Sequence, residues 1–263
     1  MTSDRPGYLA QHSAHDPAEL ARRWSRLSQQ GCLTESTLLD DGEFSVVAYE
    51  TRQSPGARNG LYLCAGVHGD EPAGPWGLLE WAEANVERLR DDFAAVIFPC
   101  FNPRGLAENT RRDASGTDLN RAFHDRANPL IAAWHRFMEG RKFRLALHLH
   151  EDYDARGIYL YELGQKDREI GEAALRKCEA VIPRDTRPRI DDGDFTNGLL
   201  RRTDGIEEIV ADRLGGGYPE AIYVHLHHAA FALTFETPSE FSLPDRIRAQ
   251  RAFIDAAIGT AFL

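Results

Sequence analysis

The chain has 263 residues, 42% apolar and 27% charged, with a formal net charge of −10. That length suits one large core, so a single domain over residues 1–263 is expected; the acidic balance argues against nucleic acid or an anionic membrane as the main partner. No apolar run approaches the ~20 residues that span a bilayer, the N-terminus lacks a signal peptide's layout, and Cys32, Cys64, Cys100 and Cys178 are scattered, which together predict a cytoplasmic protein with reduced, mostly buried thiols.

In chain order, the apolar periodicity predicts a helix over Pro17–Gln29 and strands at Phe44–Tyr49 and Leu61–Val67. A helix over Pro72–Leu89, a strand at Ala94–Phe98 and a helix over Pro129–Glu139 follow. Strands at Leu145–His150 and Ile158–Tyr161, a helix over Asp167–Val181, a strand at Ala230–Phe235 and a helix over Pro244–Phe262 complete the pattern. Buried strands alternating with amphipathic helices make an α/β domain with a mixed, mainly parallel sheet flanked by helices. Segments 101–128, 151–157, 183–204 and 212–222 read as irregular, and loops that long commonly wall a site. In an open parallel sheet that site lies beyond the carboxyl ends of the strands.

Three chemistry-bearing residues fall at such ends. His68 and Glu71 follow the strand Leu61–Val67, with Pro72 opening the next helix. This stretch reads either as an acidic helix start or as two ligands of a metal. In Arg144–Asp152, His148 and His150 alternate with leucines and face the same way; each alone is most simply a buried histidine satisfied by hydrogen bonds. Zinc takes nitrogen or carboxylate ligands, commonly three plus a water at a catalytic site. His68, Glu71 and His150 supply that set, with His148 as a group that orients a ligand. Glu236 ends another apolar strand, a costly place for a carboxylate unless it is paired or used.

The motifs His68-Gly69-Asp70-Glu71, Asn102-Pro103-Arg104-Gly105, Asn109-Thr110-Arg111, Asp118-Leu119-Asn120-Arg121, His150 and Thr234-Phe235-Glu236 occur in order over roughly residues 60–240. In this the chain resembles the zinc carboxypeptidases, relatives of the aspartoacylase and succinylglutamate desuccinylase deacylases. The resemblance favours the ligand reading and implies one Zn2+ on His68, Glu71 and His150. It implies that Arg111 polarises the scissile carbonyl, with Arg112 as rival, and that Asn120 and Arg121 grip a terminal carboxylate. It also implies Glu236 as general base, and Tyr218, with Tyr223 as rival, as a mobile residue over the substrate.

The remaining features read more plainly. His225 and His227 in "HLHH" look like another same-face pair that could wall a pocket. Arg184, Arg187 and Arg189 look like exposed surface that could alternatively meet an acidic substrate. The leading expectation is a zinc metallocarboxypeptidase cutting a C-terminal peptide bond. A zinc-dependent N-acyl amino acid deacylase and a non-catalytic zinc-binding module are the alternatives. Only 27 residues follow Glu236, which favours the peptidase, since the deacylase relatives generally add a β-rich region there. The partner is then a small peptide or acyl amino acid, and the oligomeric state is not legible.

Overall fold

The computed structural model describes residues 14–31, 33–53, 59–164, 169–191 and 193–262. Its strands are β1 (Leu33–Asp40), β2 (Ser45–Thr51), β3 (Gly60–Ala65), β4 (Ala94–Phe98), β5 (Phe143–Asp152), β6 (Tyr159–Leu163), the short β7 (Arg189–Ile190) and β8 (Gly193–Asp194), β9 (Leu199–Arg202) and β10 (Ala229–Pro238). Its helices are α1 (Pro17–Gln29), α2 (Ala73–Ala84), α3 (Val86–Asp92), α4 (Pro103–Glu108), α5 (Pro129–Met138), α6 (Ile170–Cys178), α7 (Ile206–Arg213), α8 (Glu220–His227) and α9 (Leu243–Ala261).

Eight strands form one sheet in the order β1-β2-β4-β3-β5-β10-β6-β9, while β7 and β8 pair as a separate hairpin. The centre, β4-β3-β5-β10, is parallel throughout. The pairings of β1 with β2, β2 with β4 and β10 with β6 are antiparallel. The central strands are buried on both faces, which is why they read as nearly continuous apolar runs. Alternation sends Leu61, Leu63, Leu145, Leu147 and Leu149 to one face, under α1, α2, α6 and α9. It sends Tyr62, Cys64, Ala146 and Ala232 to the other, under α5 and α8.

The expected central strands are all present, and the expected helices differ mainly at their ends. The predicted Pro72–Leu89 helix is two, with Asn85 between α2 and α3, and the predicted Asp167–Val181 helix begins in residues outside those described. Strands β1 and β9 escape the apolar-run criterion because they are outer strands with mostly exposed or half-exposed side chains. The stretch read as an alternating histidine pair is the last turn of α8. At 3.6 residues per turn His225 and His227 point to nearly opposite sides, so they do not form one face. Cys64, Cys100 and Cys178 are free thiols; Cys32 lies outside the described residues. No described helix is long and apolar enough to cross a membrane.

Candidate metal centre and active site

The site forms where the parallel strands end. After β3 the chain turns at Gly66, whose φ of +64° is left-handed and suits glycine. The turn is pinned by Asn102 N–H donating to Gly66 O at 2.7 Å. Gly69 passes so close to α4 that an added Cβ would stand 2.0 Å from the Gly105 carbonyl carbon. His68 and Glu71 are thereby held against the Asn102–Gly105 turn. In that turn Asn102 caps α4 by accepting from Gly105 N–H at 2.9 Å, and Pro103 fills the first helical turn. Asn109 closes α4 in the left-handed conformation, φ +52°.

The start of α2 has no cap from its own flanking side chain. Glu151, the residue after His150, reaches across instead, accepting from Ala73 N–H at 2.6 Å and pairing with Arg246. The acidic-start reading of His68–Glu71 thus gives way: another strand's carboxylate does the capping, and Glu71 is free to face the histidines.

His68, Glu71 and His150 are all buried, and their donor atoms lie within 4.8 Å of one another. Glu71 Oε1 is 2.5 Å from His68 Nδ1, and Oε2 is 2.7 Å from His150 Nδ1. Burial works against the Glu71 charge, but the two imidazoles outweigh it and hold the carboxyl below its usual range. Burial likewise pulls down the imidazole of His68, yet Glu71 and Asp118 overcome it and raise the pKa to about 9. His150 is also raised, against its burial, by Glu71 and then Glu236. Two imidazoles and one carboxylate thus stand together as a candidate ligand set, from which a bound metal would displace the imidazole protons.

Glu236 enters from the neighbouring strand, its Cα in register with that of His150. Burial first, and then the charges of Glu71, Asp152 and Asp191, push its pKa well above the usual carboxylate value, against the pull of His150. A buried carboxyl beside a candidate ligand set is a common arrangement for proton transfer.

Arg111 and Arg112 diverge. Arg111 Nη1 lies 3.2 Å from His68 Nδ1 and 3.8 Å from Glu71 Oε1, whereas Arg112 is exposed and donates to Gly116 O at 2.9 Å. Asp118, to which the sequence alone gives no role of its own, ties the cluster together. Its Oδ1 lies 3.4 Å from His68 Nε2, and its Oδ2 accepts from Arg111 Nε at 3.1 Å. Asp118 also caps the short 3-10 turn Leu119–Arg121 by accepting from Asn120 N–H at 3.0 Å. Asn120 Oδ1 accepts from Glu220 N–H at 2.9 Å, leaving its amide hydrogens to point elsewhere. Arg121 is exposed and donates to Asn120 O at 2.8 Å.

Tyr218 runs beside this arm, its carbonyl accepting from Phe123 N–H at 3.1 Å and its ring 5.4 Å from that of His124. Tyr223 instead packs into α8, 4.2 Å from the His227 ring. His148, expected to orient a ligand, faces Glu220 instead: its ring is fully buried, with Nδ1 2.9 Å from Glu220 Oε2. Nor are Arg184 and Arg187 a free basic patch, while Arg189 is exposed as expected. Arg184 is nearly buried and pairs with Glu172 and Glu179, and Arg187 pairs with Asp185.

Residues 57–181, just under half of the chain, match the succinylglutamate desuccinylase/aspartoacylase catalytic domain. No curated protein matches by sequence. Among solved structures, a Shewanella amazonensis protein provisionally named a metallopeptidase aligns with a TM-score of 0.80 at 18% identity, covering 94% of this chain and 93% of its own. A metallo-carboxypeptidase from Burkholderia cenocepacia aligns at 0.66 and 14% identity, over 92% of this chain and 67% of its own. Bovine thrombin-activatable fibrinolysis inhibitor aligns at 0.60 and 14% identity, over 95% and 96%. At such identities the likeness is one of fold.

Proposed function

From a fold shared with the metallocarboxypeptidases and a central segment matching the desuccinylase/aspartoacylase catalytic domain, we propose a zinc-dependent hydrolase that releases the C-terminal residue of a peptide. The observation that carries this reading is the buried His68–Glu71–His150 cluster with Glu236 in register beside His150. Two imidazoles and a carboxylate fit zinc, and three protein ligands leave one position open for chemistry. Zinc, when bound, supplies Lewis acidity that lowers the pKa of water and polarises a carbonyl.

The chain's own groups divide the remaining work. Glu236 takes the proton of the attacking water and delivers it to the leaving amine nitrogen. Arg111, braced by Asp118, presents a guanidinium to the oxyanion that develops on the scissile carbonyl. Asn120 has its oxygen engaged by Glu220 N–H, so its amide hydrogens face the substrate carboxylate alongside the Arg121 fork.

The family match favours a second reading, removal of an acyl group from an amino acid. A zinc-binding module without catalysis is disfavoured, because metal binding alone requires neither a carboxyl at Glu236 nor a guanidinium at Arg111. Turnover of N-blocked dipeptides, their C-terminal amides, acetyl-aspartate and succinyl-glutamate decides among these. Amidation removes the charge that the exposed Arg121 fork would pair with, so the free acid should be turned over faster than its amide. Faster turnover of either acyl amino acid gives the case to the deacylase, and no turnover of any substrate by zinc-loaded protein leaves the binding module.

A further inference from the structure

Behind the metal centre lies a second polar cluster that the hydrolytic chemistry does not use. Glu220 opens α8 and is completely buried. Its Oε2 lies 2.9 Å from Nδ1 of the equally buried His148, and its Oε1 accepts from the Tyr62 hydroxyl at 2.5 Å. That hydroxyl in turn accepts from Trp134 Nε1 at 3.2 Å. His148 stands two residues before His150 on β5, in register with Cys64 on β3 and Thr234 on β10. It is thus fixed in the middle of the strands that carry the metal centre.

Burying a carboxylate and an imidazole costs more than burying apolar side chains of the same volume, so stability alone is a weak reason for such a pair. What the pair spans is more informative. Through its backbone N–H, Glu220 holds Asn120 Oδ1 at 2.9 Å, and two residues earlier Tyr218 pairs with Ala122 as an isolated bridge. The short segments carrying Asn120, Arg121 and Tyr218 are therefore anchored to the start of α8. The start of α8 is tied to β3 by the Tyr62 hydrogen bond and stands in close charge contact with His148 on β5.

We propose that the His148–Glu220 pair is a positioning device that sets the Asn120–Arg121 arm at a fixed distance from the metal-bearing end of β5. It thereby governs recognition of the substrate carboxylate rather than metal binding or proton transfer. The proposal rests on the carboxylate-binding reading of that arm. The cluster satisfies two demands at once: it freezes the Asn120 amide in one orientation, and it does so from the strand bearing His150 rather than from a surface loop.

Two variants separate this tie from plain structural support. Glu220→Gln keeps the shape and the backbone N–H but removes the charge. The double variant His148→Leu/Glu220→Leu substitutes apolar bulk, an exchange that leaves many buried pairs neutral or stabilised. By hydrogen-exchange mass spectrometry, residues 117–123 and 216–221 should exchange about tenfold faster in both variants, with residues 143–152 and zinc content unchanged. With an N-blocked dipeptide, KM should rise about tenfold while kcat stays within about twofold, and the preference for acid over amide should shrink in step.

Unchanged exchange in the arm of a folded variant overturns the proposal. So does zinc loss with uniformly faster exchange, or failure of both variants to fold, either of which assigns the pair to general stability. A wild-type protein that ignores amidation defeats the carboxylate reading instead, and the exchange measurement still decides the tie.

Discussion

Glu236 and His150 face one another across the parallel ladder of β10 and β5, paired in register. Adjacent strands lie about 4.8 Å apart, so the carboxyl and the imidazole are spaced by backbone hydrogen bonds rather than by loops. The proposed proton acceptor and the proposed metal ligand are held as parts of one sheet, the kind of support that keeps catalytic geometry within a fraction of an ångström.

Glu236→Gln should therefore leave the fold and zinc content intact while lowering kcat/KM by roughly 10²- to 10⁴-fold, the usual contribution of a general base. Zinc analysis and steady-state kinetics on the same preparation check this. Wild-type turnover at full occupancy would remove Glu236 from the mechanism. Glu151 could not simply replace it, since its carboxylate is committed to Ala73 N–H and Arg246.

Zinc should follow His150 and not His148. His150→Ala opens the buried donor set, whereas His148 faces Glu220. Metal analysis should find zinc lost in the first variant and retained in the second. Stripping zinc from wild-type protein should lower Tm, because a ligand at a hundred times its Kd stabilises the folded state by about 2.7 kcal/mol. The opposite pattern in the two variants would mean the ligand set is misassigned.

Asp118 braces both His68 and Arg111. Asp118→Asn should weaken zinc binding about 10- to 100-fold, the common cost of losing a partner that orients a ligating histidine. Arg112→Ala should leave zinc affinity where it was, its guanidinium being turned to Gly116 O. Competition against a chelator of known affinity measures both, and equal effects would contradict the bracing of His68 by Asp118.

Two glycines should respond in opposite directions to alanine. At Gly69 the new Cβ would stand 2.0 Å from backbone at Gly105, so the ligand loop must move; Gly69→Ala should lose zinc or fail to fold. Gly259, in α9, has nothing within 4 Å of its added Cβ, and Gly259→Ala should stabilise by about 0.4–1 kcal/mol. Thermal melts with zinc analysis test both, and a zinc-replete, stable Gly69→Ala protein would contradict the backbone contact.

Much of this was legible in the sequence because burial on both faces writes β3, β4, β5 and β10 as apolar runs, and their ends mark the site. His68, Glu71, His150 and Glu236 all follow that logic. What stayed hidden depended on partners remote in sequence. Asp118 stands in a motif whose roles fall to Asn120 and Arg121, and its own contacts show only once His68 and Arg111 are brought to it. Glu220 reads as a surface acid in a glycine-rich region, though Pro219 before an apolar run is a signal that could have placed it at a helix start. The histidines after it misled because "HLHH" alternates like a strand, while Ala221 and Val224, three apart and both buried, carry the helical period.

The last helix has a consequence for the order of events during synthesis. Gln250 on α9 donates to His150 O at 2.9 Å, and Arg246 holds Glu151, which in turn caps α2 just after Glu71. A nascent chain whose final helix is still inside the ribosome already displays His68, Glu71 and His150, but it lacks the clasp that fixes the strand end bearing the third of them. Domains fold as units as the chain emerges, so a firm grip on the metal waits until α9 has left the ribosome and docked on that strand end.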